Sequence, residues 1–388
     1  MDAVILGASP NALSAVRSLG RAGLEVVVAA AKSNRTFKRS RYAAGHIDLE
    51  NLNDAGITTR LMSLPEPHER PFLLATGDRF ALFVAKYQQL LSSKYCFVVP
   101  SYATLDAIID KAKLYQTAQN AGVPHPQFCV VADRRDVDAA IAGVPTPCYV
   151  KPALAHEWRA FADTKIERAE TETELRRILD AFIERGLVAV PLEIIPGSDT
   201  EVFSVCTYID RSGTPIAWRT KRKLRQYPLD TGDASAQEIC DEPKVAELGL
   251  NLLAITGHRG PATVEFRRDA RNGRFVLMEI NARTILGQEM ITRSGFDVPL
   301  AAYRDAKGQP MQTVGAPSFV RWASFGADFR AFKGLRKRGA LTTPRWLASI
   351  LGCRCFAYFA PDDPWPLLTR IGAWLAHWMK RLLARASS

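Results

Sequence analysis

The 388-residue sequence has no run of about eighteen apolar residues, so a membrane-spanning helix is not expected. It has no C-x-x-C pair. Its seven cysteines (Cys96, Cys129, Cys148, Cys206, Cys240, Cys353, Cys355) are scattered and odd in number, which favours reduced, packed thiols in a cytosol over a disulfide framework. It has neither a G-x-S-x-G turn nor a paired Cys/His signature, so no covalent enzyme nucleophile is expected. Internal repeats and low-complexity tracts are missing too. The first residues, MDAVILGASP, lack a basic n-region and read as a strand beginning at once. His46, His68, His125 and His258 have no metal-ligand spacing and are expected to be structural or exposed.

The composition, 47% hydrophobic and 23% charged, is that of a globular chain, and the length suggests two or three domains. The net charge of +11 is uneven. From Val320 onward there are 12 Lys/Arg and 3 Asp/Glu, a net of +9, which leaves +2 for everything before. A uniformly basic nucleic-acid coat is thereby excluded, and no nucleic-acid partner is expected. The tail also holds five of the seven tryptophans (Trp322, Trp346, Trp365, Trp374, Trp378). Leu367, Leu368, Ile371, Trp374, Leu375, Trp378, Met379 and Leu382 recur at three- and four-residue steps, with Arg370, His377, Lys380, Arg381 and Arg385 largely elsewhere on the helix. Asp362-Asp363-Pro364-Trp365-Pro366 stops the chain before it. Such a basic amphipathic helix could pack on the rest of the chain, join a homodimer, or rest on an anionic membrane surface.

Along the chain, Asp2–Leu6, Gly7, Asn11–Ala22 and Glu25–Ala30 read as strand, tight turn, helix and strand. Apolar runs at Phe72–Ala75, Phe80–Ala85 and Cys96–Val99 continue the alternation and imply a parallel sheet covered by helices. Gly7-Ala8-Ser9-Pro10 sits where a dinucleotide fingerprint would. Its second glycine is Ser9, however, and no ribose-binding acid follows the next strand, so a nicotinamide or flavin site is not expected. A helix is predicted over Ala107–Gly122, a strand ending at Lys151, and a helix over Thr171–Arg185 opened by a capping box at Thr171 and Glu174. Strands recur at Val188–Ile194, Glu201–Ile209, Ile216–Thr220, Ala262–Phe266 and Phe275–Ile280.

The chemistry concentrates in Val264-Glu265-Phe266 and Met278-Glu279-Ile280-Asn281-Ala282-Arg283. On a strand, Glu279, Asn281 and Arg283 share a face if the extension holds, and a hairpin at Arg271-Asn272-Gly273 brings Glu265 beside Glu279. Two carboxylates and an amide oxygen are hard ligands suited to Mg²⁺, and an arginine can clamp phosphate oxygens. Beyond the strand at Ile216–Thr220, Lys223 and Arg225 share a face. They could bind phosphate or a substrate carboxylate, or form a solvated basic loop.

The pattern Val-Glu-Phe…Met-Glu-Ile-Asn-Ala-Arg strongly resembles the metal-binding strands of ATP-grasp enzymes, over roughly residues 105 to 300. In that resemblance Lys111 is the first nucleotide-binding lysine and Lys151, in Tyr149-Val150-Lys151-Pro152, the second. Leu192-Glu193-Ile194-Ile195-Pro196-Gly197 is similar to the hinge whose backbone holds adenine, with Ile195 on it and Glu193 or Glu201 on the adenine or ribose side. Two positions depart from the family. The loop Ala153–Arg159 has no glycine, for which Lys165 could compensate, and Leu192 replaces a glutamine.

The resemblance implies an α/β protein. A Rossmann-like domain (1–104) would precede two ATP-grasp lobes (105–185 and 186–315), with a basic helical extension (316–388). It implies a cytoplasmic ligase using ATP and Mg²⁺ (or Mn²⁺). Glu265, Glu279 and Asn281 would be the metal ligands, and Arg283, Lys223 and Arg225 the catalytic side chains. Such an enzyme activates a carboxylate as an acylphosphate and joins it to an amine. Alternatives are a carboxyphosphate-forming carboxylase-like enzyme and a nucleotide-binding or membrane-attached regulator.

Overall fold

The structure is a computed structural model that describes residues 1–31, 39–65, 69–154, 158 and 166–386. The chain is mixed α/β and divides into two compact units. Unit 1 comprises Met1–Val98, Ser235–Ile239 and Arg283–Ser388; unit 2 comprises Val99–Ala234 and Cys240–Ala282.

Unit 1 begins with β1 (Ala3–Leu6), β2 (Val26–Ala30), β3 (Ala43–Asp48) and β4 (Phe72–Ala75), a parallel sheet in the order β3-β2-β1-β4. The runs AVIL and VVVAA have no polar alternation because helices cover both faces of a parallel sheet. Gly7, at φ +122°, turns the chain where a Cβ would lie 2.5 Å from Thr76 Oγ1, so no side chain fits there. Ser9 caps the helix Pro10–Arg21, accepting from the Ala12 N–H at 3.5 Å. The Asn11 amide donates to the carbonyls of Thr76 and Thr284 and so ties this turn to two other segments of the unit. Cys96–Val99 forms only a bridge, from Cys96 to Phe72, in place of the expected strand.

In unit 2 the helix expected over Ala107–Gly122 is two helices, Tyr102–Ile109 and Lys111–Asn120. Asp110 leaves helical geometry at the junction, and its carboxylate accepts from the Lys113 N–H at 3.1 Å. That cap makes Lys111 the first residue of the second helix. An antiparallel sheet places β5 (Cys148–Pro152) between β6 (Glu167–Ala169) and β7 (Ala189–Glu193). The helix Glu172–Ile183 buries Leu175, Ile178, Leu179 and Phe182 in one core with Val150 of β5. Its capping box closes on one side only. Thr171 Oγ1 accepts from the Glu174 N–H, whereas the Glu174 carboxylate accepts from the Glu170 N–H.

Further on come β8 (Val202–Ile209), β9 (Pro215–Tyr227), β10 (Asp233–Cys240), β11 (Gly260–Arg268) and β12 (Phe275–Asn281). In unit 2 they build an antiparallel sheet in the order β12-β11-β8-β9. Ser235–Ile239 of β10 belongs to unit 1, where β10 pairs with β13 (Arg321–Ala323), itself parallel to β14 (Cys355–Phe356). The helix Pro243–Thr256 packs on the apolar face of the unit 2 sheet at Gly249. A Cβ there would meet Val205 Cγ1 at 2.3 Å and Val264 Cβ at 3.2 Å.

Gly249→Ala therefore sets two effects against each other. Helix propensity gains about 1 kcal/mol. Overpacking against β-branched side chains fixed in two strands costs about 1–3 kcal/mol. The clash outweighs the gain, and the variant is expected to melt below the wild type in a calorimetric scan.

Candidate active site

The apolar face of the unit 2 sheet lies under a helix, so its other face is free to collect polar side chains. The register sets Glu279, Glu265, Ser204 and Lys221 in one row across four strands, and Asn281, Thr263, Cys206 and Arg219 in the next. Glu265 and Glu279 are thus directly opposed, as the hairpin reading requires. Like charges in that position repel unless cations compensate.

The cations are present. Lys223 Nζ lies 3.0 Å from Glu265 Oε1 and 3.5 Å from Gln226 Oε1. Burial works against the charge on Lys223, but Glu265 and Glu279 outweigh it and hold its pKa above the ordinary value. Burial likewise acts to neutralise Glu279. Lys111, Lys151, the hydrogen bond from Asn281 and Lys223 reverse that and keep its pKa below the carboxylate range. Lys151, 7% exposed, is lowered to about 8 by burial and by the neighbouring charge of Lys111, with Glu279 and Glu265 opposing. The Lys111 N–H donates to the Ala153 carbonyl at 3.0 Å, which fixes the start of its helix against the end of the Lys151 strand.

Between Glu265 and Phe266 the β11–β12 register shifts. Glu265 faces Glu279, whereas Phe266 faces Leu277, so Met278 is the extra residue of a bulge. Its carbonyl accepts from the Tyr115 hydroxyl at 2.8 Å. Burial first, then Glu279 and Glu265, raise the pKa of Tyr115, and the hydroxyl stays a donor. Sequence reasoning missed Tyr115. The signal was its place four residues after Lys111, on the same face of one helix.

The stretch after Thr220 is strand and not a basic loop. β9 runs to Tyr227, and Arg219, Lys221, Lys223 and Arg225, at alternate positions, are each 4–8% exposed. Lys223 and Arg225 do share a face, and Arg219 and Lys221 extend it. The period-two spacing of four cations was legible, but the high charge concealed a buried strand.

The remaining assignments divide. β12 ends at Asn281, so the expected shared face does not reach Arg283. Arg283 lies in unit 1 and pairs with Asp78, Nε to Oδ1 at 2.8 Å and Nη2 to Oδ2 at 3.3 Å. Glu193, at the end of β7, is 2.6 Å from Arg271 and also accepts from the Gln127 N–H. Ile195 is buried, and its carbonyl accepts from Arg267. Glu201 is paired with Arg268. Glu193 and Ile195 line a cavity of about 360 Å³ together with His125, Asp269, Arg271 and Val276; none of Lys111, Lys151, Glu265, Glu279 and Asn281 lines it. Lys165 and most of the loop 155–165 lie outside the described residues. Trp158, within that loop, stacks on Phe182 with ring centroids 4.2 Å apart.

Among the described residues, no three His, Cys, Asp or Glu side chains come together as a metal cage. The donors at hand are two carboxylates and one amide. Asn281 Nδ2 donates to Glu279 Oε1 at 2.8 Å, which leaves the amide oxygen to face a cation. That set fits Mg²⁺, which takes one or two carboxylates and completes its shell with water and phosphate. The ammonium of Lys223 already stands against Glu265 as a cation would.

No family model matches the chain. It is 22% identical over 236 residues to D-aspartate ligase of Enterococcus faecium, covering 58% of this chain and 56% of that protein. It is 24% identical over 180 residues to D-alanine–D-alanine ligase of Marinobacter nauticus, covering 45% and 53%. The chain thus spans little more than half the length of these curated relatives. Among solved structures it is similar to N5-carboxyaminoimidazole synthetase from Staphylococcus aureus complexed with ADP, with a TM-score of 0.65 at 15% identity, covering 82% of this chain and 81% of that one. It is also similar to a biotin carboxylase–β-γ-ATP complex from Campylobacter jejuni, with a TM-score of 0.63 at 18% identity, covering 82% and 74%. In fold the chain is similar to these enzymes, and together with the two ligases they support the resemblance to the ATP-grasp superfamily.

Proposed function

We propose that the chain is a cytoplasmic ATP-dependent carboxylate–amine ligase. Its N-terminal parallel sheet would be the Rossmann-like domain that precedes two ATP-grasp lobes, at 105–185 and 186–315, and 316–388 a basic extension. The observation that carries the activity is the opposed pair Glu265 and Glu279, half-buried with Asn281 within the electrostatic reach of Lys111, Lys151 and Lys223. The D-aspartate and D-alanine–D-alanine ligases supply the reaction class by similarity.

In this reading a substrate carboxylate oxygen attacks the γ-phosphorus of ATP, the bond from that phosphorus to the β-bridging oxygen breaks, and ADP leaves. An amine nitrogen then attacks the acyl carbon, the carbon–oxygen bond to phosphate breaks, the nitrogen loses a proton, and phosphate departs. Lys111 and Lys151 neutralise the polyphosphate, which must lose its repulsion toward the incoming carboxylate before anything moves. Lys223 and Arg225 would bind the substrate carboxylate or the transferred phosphoryl group. Mg²⁺ or Mn²⁺, held by Glu265, Glu279 and Asn281, would add positive charge along the phosphates. Glu193, Ile195 and Glu201 stand on the adenine and ribose side.

Amino acids and small diacids, offered with amine acceptors, identify the substrates by ADP release. Release that requires both a carboxylate and an amine supports the reading. Release driven by bicarbonate alone assigns a carboxylase instead.

Glu279→Gln is expected to lower turnover by at least about a hundredfold and to weaken Mg²⁺-dependent ATP binding. Circular dichroism should show it folded. Wild-type turnover in that variant would remove the metal assignment.

The Lys151 ammonium sets a pH limb. Below its pKa of about 8 it is charged with or without nucleotide, so ATP affinity is level. Above that, binding must take up a proton, and affinity falls by up to about tenfold per pH unit. Calorimetric titration across that range measures both the fall and the proton uptake. Lys151→Met should bind more weakly and lose the limb.

A further inference from the structure

We propose that the C-terminal helix, Trp365–Ala386, is a docking element for an anionic lipid surface, independent of the ligase reading. Its root is fixed to unit 1. The buried Asp363 carboxylate accepts from Arg17 Nε at 2.9 Å, Ser40 Oγ at 2.7 Å and the Arg41 N–H at 2.9 Å. Asp362 is held by Arg21 and by the Tyr42 hydroxyl, and the Arg370 guanidinium lies 3.9 Å from the centre of the Tyr358 ring.

Beyond that root, the described side chains of the helix are not covered by the other described residues. From Arg370 to Met379, every residue whose side chain is described is exposed. Packing on the rest of the chain, one of the destinations left open by the sequence, is therefore not what the structure shows. Leu368, Ile371, Trp374, Leu375, Trp378 and Met379 are each 43–63% exposed, and they fall on one side at helical spacing. An apolar stripe of that length in water has to be covered by something.

Charge selects the occupant. The helix carries Arg370, Lys380, Arg381 and Arg385 and no acidic residue. A second copy would bring an equally cationic helix against it. An anionic lipid surface attracts the cations and receives the apolar side chains a few ångströms deeper, at the headgroup boundary. Trp365, Trp374 and Trp378 are suited to that boundary, with an apolar ring and one polar N–H. The 22-residue helix spans about 33 Å lying flat. No helix among the described residues is long and apolar enough to cross a membrane.

The test uses the full chain with sedimented vesicles of phosphatidylcholine, pure or mixed with phosphatidylglycerol. Binding is expected to the mixed vesicles, to weaken as salt rises, and to blue-shift tryptophan emission. The double substitution Trp374→Ser with Trp378→Ser, and separately Arg370→Glu, should each lower partitioning by about tenfold or more. The tryptophan variant should leave the melting temperature unchanged, since both indoles are exposed, whereas Arg370→Glu also gives up its contact with the Tyr358 ring and is checked for folding by circular dichroism. Equal binding by wild type and variants overturns the proposal, as does no binding to the anionic vesicles. A concentration-dependent dimer that the same substitutions disperse also overturns it and assigns the face to a second copy.

Discussion

Two half-buried carboxylates facing each other across adjacent strands form the constraint around which unit 2 is built. Desolvation pushes a proton onto Glu279, and Lys111, Lys151, the hydrogen bond from Asn281 and Lys223 reverse the outcome. The dependence runs both ways, because burial and Lys111 together pull Lys151 down and the carboxylates oppose them. β9 adds Arg219, Lys221 and Arg225 to the same strand face as Lys223. Buried cations thus outnumber the two carboxylates, and a polyanion is the ligand class that balances them.

Much of the surrounding structure holds that cluster in register. The helix Pro243–Thr256 lies close on the sheet because residue 249 has no side chain. The bulge at Met278 frees a carbonyl for Tyr115, which couples the Lys111 helix to the strand of Glu279. Asp110 starts that helix one residue before Lys111, and the Lys111 N–H then bonds the Ala153 carbonyl. Cap, bulge and glycine each act on backbone placement. The charged side chains need little further adjustment.

Short-range patterns made part of this legible. Period-two spacing placed Glu265, Glu279 and Asn281 together, and Arg271-Asn272-Gly273 supplied the turn between them. The alternation of strand and helix runs anticipated the parallel sheet β3-β2-β1-β4. What escaped was decided by tertiary context. Five cations in seven residues (219–225) look solvated, and only the neighbouring carboxylates explain why β9 continues through them. Nothing near Arg283 in sequence announces Asp78, 205 positions earlier. Nor does any local pattern announce the partners of the Asn11 amide, which are carbonyls 65 and 273 residues away.

The net charge of +11 also acquires two distinct meanings once side chains are placed. In unit 2 the cations of β9 are buried and face acids, so their field works inward on a site. In the tail the three acids are engaged within unit 1: Asp328 with Ser235 and Trp346, Asp362 with Arg21 and Tyr42, Asp363 with Arg17, Ser40 and Arg41. Lys333, Arg336, Lys337, Arg345, Arg354 and Arg370 are exposed, so the positive excess of that region faces water. A surface field of one sign is screened by salt over about 8 Å at physiological ionic strength, whereas buried pairs are screened far less. Rising ionic strength should therefore act on the tail before it acts on the site, which separates the two electrically although one chain carries both.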